Sequence, residues 1–344
     1  MSEGKRVLLT GHKGYIGSVM APILVEAGYE VVGYDTGYFN PCTLVPDPVE
    51  IPEIRKDIRD VVADDLKGFD AVIHLAALSN DPIGNIDEGW TTEINHEATI
   101  RLAELARDAG VHRFLFSSSC IMYGMSDGGE VDETSPLDPQ TEYARSKVKS
   151  EAALVEMATD DFSPVYLRNG TIYGVSPRMR FDTVLNNLVG AAVTAGKVNV
   201  FSDGKPWRPV LHVEDVSRSF MHVLEAPLAD VHNQAFNNGA DHLNHQVIEL
   251  AQMAADSVPG CELEVLNQPS ADQRTYKASF AKFARTFPDF EWQWTAKKGA
   301  DNLAETFAKV GLTADQYSGE RYTRLKWLNK LLDENQLDRN LNWN

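Results

Sequence analysis

Three cysteines in 344 residues, Cys42, Cys120 and Cys261, are too few and too scattered for a disulfide framework, and their spacing fits no metal-ligand pattern. A reducing, cytoplasmic setting and the absence of a bound metal are therefore expected. No apolar stretch approaches the roughly 18 residues needed to cross a bilayer, and no signal-peptide pattern follows Met1. Positive charge is also scarce, with 32 Lys+Arg against 50 Asp+Glu and a net charge of −18. A field of that sign repels phosphate backbones and anionic lipid surfaces, so neither nucleic acid nor membrane is expected as a partner. Repeats, low-complexity tracts and long charge runs are missing too, which excludes solenoids and disordered arrays. What remains, 43% hydrophobic and 24% charged residues, suits a globular chain of one large or two ordinary domains.

The chain is organised around Arg6–Gly28, RVLLTGHKGYIGSVMAPILVEAG. Val7, Leu8 and Leu9 are a short apolar run, the mark of a strand buried on both faces. Gly11, Gly14 and Gly17 follow, and then Tyr15, Ile16, Val19, Met20, Ile23 and Leu24 recur at helical spacing until Gly28 offers a cap. Strand, glycine turn and helix start make an anion site: a tight turn, a close backbone approach to a pyrophosphate, and close helix–strand packing at the third glycine. Glu30–Tyr34 reads as a second buried strand ending in Asp35, 18 residues beyond Gly17. A carboxylate near that offset meets the adenosine ribose hydroxyls and repels a 2′-phosphate, so NAD is favoured over NADP.

Beyond Asp35, 36–52 reads as an irregular loop, and Glu53–Asp60 places Asp57 near the end of a third strand. Ala71–Leu75, Arg113–Ser117 and Pro164–Arg168 read as further buried strands, and Glu88–Ala109 and Glu142–Met157 as helices. Ala76 and Ala77 are small enough for a ligand to pass close by. Strand alternating with helix implies right-handed crossovers and a parallel sheet covered on both faces. The expected fold is α/β, a Rossmann-type doubly wound parallel sheet with a smaller, interleaved C-terminal substrate domain. Residues 1–174 would form the first unit, with sheet contributions from about 198–245, and 175–344 mainly the second. In that second part helices are expected at Thr183–Ala195, Glu214–Leu224 and Gln246–Ser257. Strands are expected at Val198–Phe201, Val210–Val213 and Glu262–Leu266, and three closing helices would end with Gly319–Glu334.

Tyr143 and Lys147, four apart in a helix, share one face. A phenol is a poor base at its ordinary pKa of ~10, but a lysine ammonium and an oxidised nicotinamide beside it favour the phenolate. A serine hydroxyl from the neighbouring strand end, Ser117–Ser119, can hold a substrate oxygen while Tyr143 takes its proton. His74 and His212 read as packed rather than catalytic, and Cys120 as a small group lining the pocket. Arg178 and Arg180 either solvate a loop or approach a diphosphate, and Trp207 either stacks on a base or fills core.

TGHKGYIG, Asp35, HLAA (His74–Ala77), SSSCIMYG (Ser117–Gly124) and YARSK (Tyr143–Lys147) together resemble the extended short-chain dehydrogenase/reductase family. Within it the chain is similar to NAD-dependent nucleotide-sugar epimerases and dehydratases. The resemblance implies Ser119, Tyr143 and Lys147 as the catalytic set. It implies cofactor contacts from Gly11, Gly14, Tyr15, Ile16, Gly17, Asp35, the adenine-flanking pair Asp57 and Ile58, Leu75, Ala76, Ala77, Asn95 near the nicotinamide, and Ser117. For a nucleotide-diphosphate sugar it implies Asn187, Leu188 and Arg208 at the diphosphate, Arg180 beside them, and Arg274 with Tyr276 by the sugar nucleotide. Ser79, Cys120 and Thr171 stand where relatives carry, respectively, a lysine, the first of an Asp-Glu pair and an asparagine. Cys120 and Ile121 leave no acid for elimination. A 4-epimerase acting through a keto-sugar is the expected function, and helix pairing in the family implies a homodimer. The alternatives are a dehydrogenase or keto-reductase, a dehydratase, and a non-catalytic NAD sensor.

Overall fold

The computed structural model describes residues 4–79, 87–268 and 275–344, the side chains of 126–128 excepted. Seven parallel strands form its main sheet: β1 (Arg6–Thr10), β2 (Glu30–Asp35), β3 (Glu53–Arg55), β4 (Ala71–His74), β5 (Arg113–Ser119), β6 (Ser163–Asn169) and β7 (Gln234–Asn238). Their order is β3-β2-β1-β4-β5-β6-β7. This is the doubly wound, Rossmann-type α/β arrangement expected from the alternation of strand and helix.

Alternation along β1 decides which layer each residue joins. Leu8 packs with Val72, Phe114 and Leu102 on one face, while Val7 and Leu9 join Ile73, Leu115, Val165 and Phe220 on the other. Both faces are dry, with Val7, Leu8 and Leu9 fully buried. Each such side chain contributes about 1.5–3 kcal/mol when removed from water. The winding reverses between β1 and β4, and a crevice opens there at the carboxyl ends of the strands.

The helical run after β4 has three parts, Glu88–Thr91, a wider π-type segment Thr92–Glu97, and Ala98–Asp108. Helix Glu142–Met157 spans the range its periodicity requires, with Thr141 Oγ1 accepting from Ala144 N at its start. A second core gathers helices Val184–Ala195, Val247–Asp256 and Ala296–Lys309, and Tyr15 and Val19, from just before and within the first helix Gly17–Glu26, reach into it.

One expectation narrows and another needs correcting. Within 198–245 the strand that joins the main sheet is β7. Lys197–Val200 pairs with Glu262–Val265, and Trp207–His212 lies between Thr171–Tyr173 and Asn244–Gln246. Four helices close the described chain instead of three, and the last is Arg324–Asp333, not Gly319–Glu334. Gly319 is extended after the short helix Ala314–Ser318, and Tyr322 O accepts from Phe181 N before the last helix begins.

Candidate active site

A cleft of about 380 Å³ runs along the crevice between β1 and β4, large enough for an elongated ligand. Its floor is the glycine turn. Gly11 leaves β1 at φ +72°, and a Cβ there would lie 2.8 Å from Ala76 N, so the turn presses on the segment after β4. A Cβ on Gly17 would fall against Gly11 O and 2.5 Å from His12 Cα. The third glycine therefore lets the turn close on itself, rather than easing helix–strand packing as expected. The N–H groups of Tyr15 and Ile16 have no protein acceptor among the described residues. Unpaired donors at a helix start beside a cradle that a side chain would fill fit a pyrophosphate.

Asp35 is held at the end of β2 by Gly37 N (2.7 Å) and Lys13 N (3.0 Å), one to each oxygen. Lone pairs remain for ribose hydroxyls. Asp57 is gripped by Arg59 through Nε (3.0 Å) and Nη2 (2.8 Å), and the Tyr38 hydroxyl oxygen lies 3.2 Å from it. Asp35, Asp57, Ile58, Leu75, Ala76 and Ala77 all face the cleft, as do Gly11, Gly14, Tyr15, Ile16 and Gly17. These residues fit an extended dinucleotide.

At the other end, Ser117, Ser119, Tyr143 and Lys147 share the same cleft. Lys147 is 3% exposed, and its Nζ donates to Ser117 O at 2.7 Å. The ammonium sits 4.5 Å from the Phe116 ring centroid and 5.6 Å from that of Tyr143. Burial pushes its pKa down to about 7, against a smaller opposing pull from Glu151. Ser119 Oγ accepts from Ile121 N (3.3 Å) and donates to Asn169 O (3.5 Å). Asn169 Nδ2 donates to Ser117 Oγ at 3.1 Å and fixes that hydroxyl.

Ser79, Thr171, Arg180 and Arg208 also line the cleft. A smaller hollow beside it is bounded by Ser119, Ile121, Gly170, Thr171, Arg208 and Tyr276. Four expected contacts lie elsewhere. Cys120 is fully buried, its thiol donating to Arg168 O at 3.1 Å, and burial raises its pKa. Asn187 faces outward and donates to Phe181 O (3.0 Å), and Leu188 belongs to the second core. The helix carrying them starts at Val184, so Thr183 and Val184 meet the cleft and the next turn points away. Asn95 is buried behind the wall, accepting from Leu78 N (2.8 Å) and donating to Leu78 O (3.1 Å). It positions the loop after β4 without facing the cleft. Arg274 lies outside the described residues.

Arg178 turns from the cleft to pair with Asp47. His74 bridges Thr10 (2.7 Å) and Thr99 (2.8 Å), and burial pushes its pKa down to about 3. His212 caps the helix Val213–Glu225 and stacks on Trp294. Residues that sequence reasoning missed are Tyr38, Phe39, Lys56, Asn169, Asp182 and Arg324, all on the cleft wall. Only Asn169 carried a signal, at the end of a buried strand beside the serine run. Among the described residues there is no cluster of metal-binding side chains and no helix long and apolar enough to cross a membrane.

The chain is similar to a UDP-glucose 4-epimerase of Corynebacterium glutamicum, 27% identical over 80% of this chain and 88% of that one. A UDP-glucose 4-epimerase of Bacillus subtilis is 28% identical over 86% and 94%. Among solved structures, MoeE5 in complex with UDP-glucuronic acid and NAD superposes with a TM-score of 0.76 and 28% identity, over 88% of this chain and 99% of that one. The family model described as NAD dependent epimerase/dehydratase matches residues 7–239, more than half of the chain. The glycine cradle, the carboxylate closing β2 and these likenesses converge: the chain is an NAD-dependent enzyme of the epimerase/dehydratase family, within the extended short-chain dehydrogenases/reductases.

Proposed function

We propose that the enzyme is a nucleotide-diphosphate-sugar 4-epimerase acting through a transient keto-sugar. The observation that carries this reading is the convergence of Ser119, Tyr143 and Lys147 on one cleft, with no carboxylic acid directly after Ser119. Cys120 and Ile121 hold the two positions where the resembled dehydratases carry an acid pair, and the Cys120 thiol is fully buried, donates to Arg168 O, and is made a far weaker acid than a carboxyl by its burial. Oxidation and return of hydrogen at one carbon remain.

Ser119 Oγ holds the oxygen of the sugar carbinol, and Tyr143 removes its proton. Lys147, one helical turn on, stabilises the phenolate by its charge, and the phenolate in turn favours the charged ammonium. Bound NAD would supply reversible hydride transfer at the sugar carbon. Between the two transfers the keto-sugar must present its other face, so the pocket has to hold the nucleotide while releasing the sugar ring. Arg208, at the start of Trp207–His212, and Thr171, in register with Val210 of the same strand, both line the cleft and would hold the nucleotide diphosphate. A cytoplasmic homodimer is part of the proposal, and a monomeric mass in light scattering at micromolar concentration would remove that part.

The test is to incubate the purified chain with UDP- and dTDP-hexoses. The expected result is interconversion of 4-epimers with no accumulation of NADH. Tyr143→Phe should retain NAD and lose at least a thousandfold in turnover, about 4 kcal/mol. Stoichiometric NADH would favour a dehydrogenase, and Tyr143→Phe activity within tenfold of the parent would remove Tyr143 from the mechanism.

A further inference from the structure

Two guanidiniums line the cleft that holds the glycine turn, and the described residues supply one carboxylate between them. Arg180 donates Nε to Asp182 Oδ1 at 2.6 Å, Nη1 to Ser79 Oγ at 3.0 Å and Nη2 to Ser79 O at 3.3 Å. Arg324, the first residue of helix Arg324–Asp333, is 4% exposed, with Cζ 4.4 Å from the Phe39 ring centroid. Its hydrogen bonds go to main-chain carbonyls, Met179 O (3.3 Å) and Arg178 O (2.7 Å). No carboxylate among the described residues lies within ion-pair distance of Arg324.

A buried cation without a counter-charge is strongly unfavourable, and dipoles of two carbonyls compensate it only in part. Burial and the neighbouring Arg180 together pull the Arg324 pKa down to about 10. Both arginines also act electrostatically on the Tyr15 hydroxyl, with Asp182 opposing. Arg180 and Arg324 line the same cleft as Gly11, Gly14, Tyr15, Ile16 and Gly17, so the surplus positive charge and the Tyr15 and Ile16 N–H groups border one space. Planar guanidinium forks and helix-start donors converging on one space match a pyrophosphate.

We infer that Arg324, together with Arg180, is the counter-charge for the pyrophosphate of the bound NAD, which makes the C-terminal helix a working part of the dinucleotide site. The inference rests on the NAD assignment and extends it to a residue some 300 positions from the glycine turn. The fork that the turn and its helix leave open is closed by the far end of the chain. A substrate diphosphate has the same chemistry, so the test must separate the two sources.

The experiment compares the full-length chain with Arg324→Met and Arg324→Lys. NAD released on heat denaturation is counted per chain, and NAD, ADP-ribose and UDP are titrated calorimetrically into stripped protein. Arg324→Met should bind NAD and ADP-ribose at least tenfold more weakly, with Arg324→Lys between it and the parent. UDP affinity should not change, and the cofactor-free melting temperature should hold or rise because an unpaired buried charge has gone. NAD affinity within threefold of the parent in the Met variant would overturn the assignment. So would weakened UDP binding with NAD unaffected, which would assign the pair to the substrate. If Arg324→Met does not fold, the Lys variant decides, and NAD and ADP-ribose affinities within twofold of the parent refute the role. If the unaltered chain binds no NAD, the cofactor assignment itself has failed, and this inference with it.

Discussion

Replacing Lys147 with methionine should stabilise the cofactor-free protein while abolishing its activity. The ammonium is buried among Phe116, Tyr143 and the Ser117 carbonyl, and its pKa falls from an ordinary 10.5 to about 7 because burial penalises the charged form. A fall of that size corresponds to about 5 kcal/mol at ~1.4 kcal/mol per pKa unit. Methionine removes that penalty but leaves Ser117 O short of a donor, at about 1–3 kcal/mol, and loses the contact with the Phe116 ring, about 1 kcal/mol. The net gain should be about 1–3 kcal/mol near pH 7, an instance of function maintained against stability. The pH dependence is the sharper test. Below about pH 7 both folded and unfolded chains carry the ammonium, and the full penalty applies. Between 7 and 10.5 the unfolded chain keeps a proton that the folded one has released, so parent stability rises by up to ~1.4 kcal/mol per pH unit from this group. Above 10.5 the penalty is gone. Lys147→Met lacks that rise, so its advantage should shrink steadily from pH 7 to 10. Urea unfolding of both proteins across this range measures it. Parallel profiles, or a methionine variant less stable at pH 6.5 by more than the lost hydrogen bond, would refute the account of Lys147 as a strained cation.

Gly17→Ala should destabilise the fold by about 2–3 kcal/mol and weaken NAD binding at least tenfold, because its Cβ meets backbone atoms of Gly11 and His12 that cannot swing aside. Thermal unfolding followed by circular dichroism and a cofactor titration check both, and parent-like values would mean the turn is not closed as described. The unaltered enzyme should bind NAD at least tenfold more tightly than NADP, since the Asp35 carboxylate repels a 2′-phosphate. Equal dissociation constants would take that role from Asp35.

Local chemistry made half of the site legible. A φ of +72° at Gly11 and the contacts that only glycine allows at Gly17 are written into the short run Gly11–Gly17. The shared face of Tyr143 and Lys147 follows from four residues of helix, whose start the structure fixes with Thr141 Oγ1 accepting from Ala144 N. What failed was phase and depth. Asn187 and Leu188 lie one turn beyond the two residues that meet the cleft, and nothing local says whether a helix begins at 183 or 187 in its approach to a ligand. Asn95 sits in a π-type turn, where the usual helical spacing no longer reports direction, and its side chain is taken up by the Leu78 backbone. Cys120 follows Ser119 in sequence, but the tight turn after β5 drives its thiol inward.

The remaining losses are of another kind, because they concern contacts that no window of sequence contains. Residues 36–52 look like an unstructured connection, yet Tyr38 and Phe39 form part of the cleft wall. The last helix and the tail beyond it hold that loop. Trp327 Nε1 donates to Tyr38 O (2.8 Å), the Tyr38 hydroxyl donates to Leu341 O, and Trp343 Nε1 donates to Thr36 O (2.9 Å). Arg59, the partner of Asp57, donates to Asn340 O at 2.7 Å, and Trp90 Nε1 to Arg339 O at 2.9 Å. Three separate segments, the 36–38 loop, Arg59 and Trp90, are thus tied to the final twenty residues. A glycine turn can form early from neighbouring residues, whereas this wall needs loops of nearly the whole chain to close first. The anion cradle is therefore a local property of the first thirty residues. The enclosure that turns it into a dinucleotide site is a property of the completed fold, which is why Arg324 gave no sign of itself in the sequence.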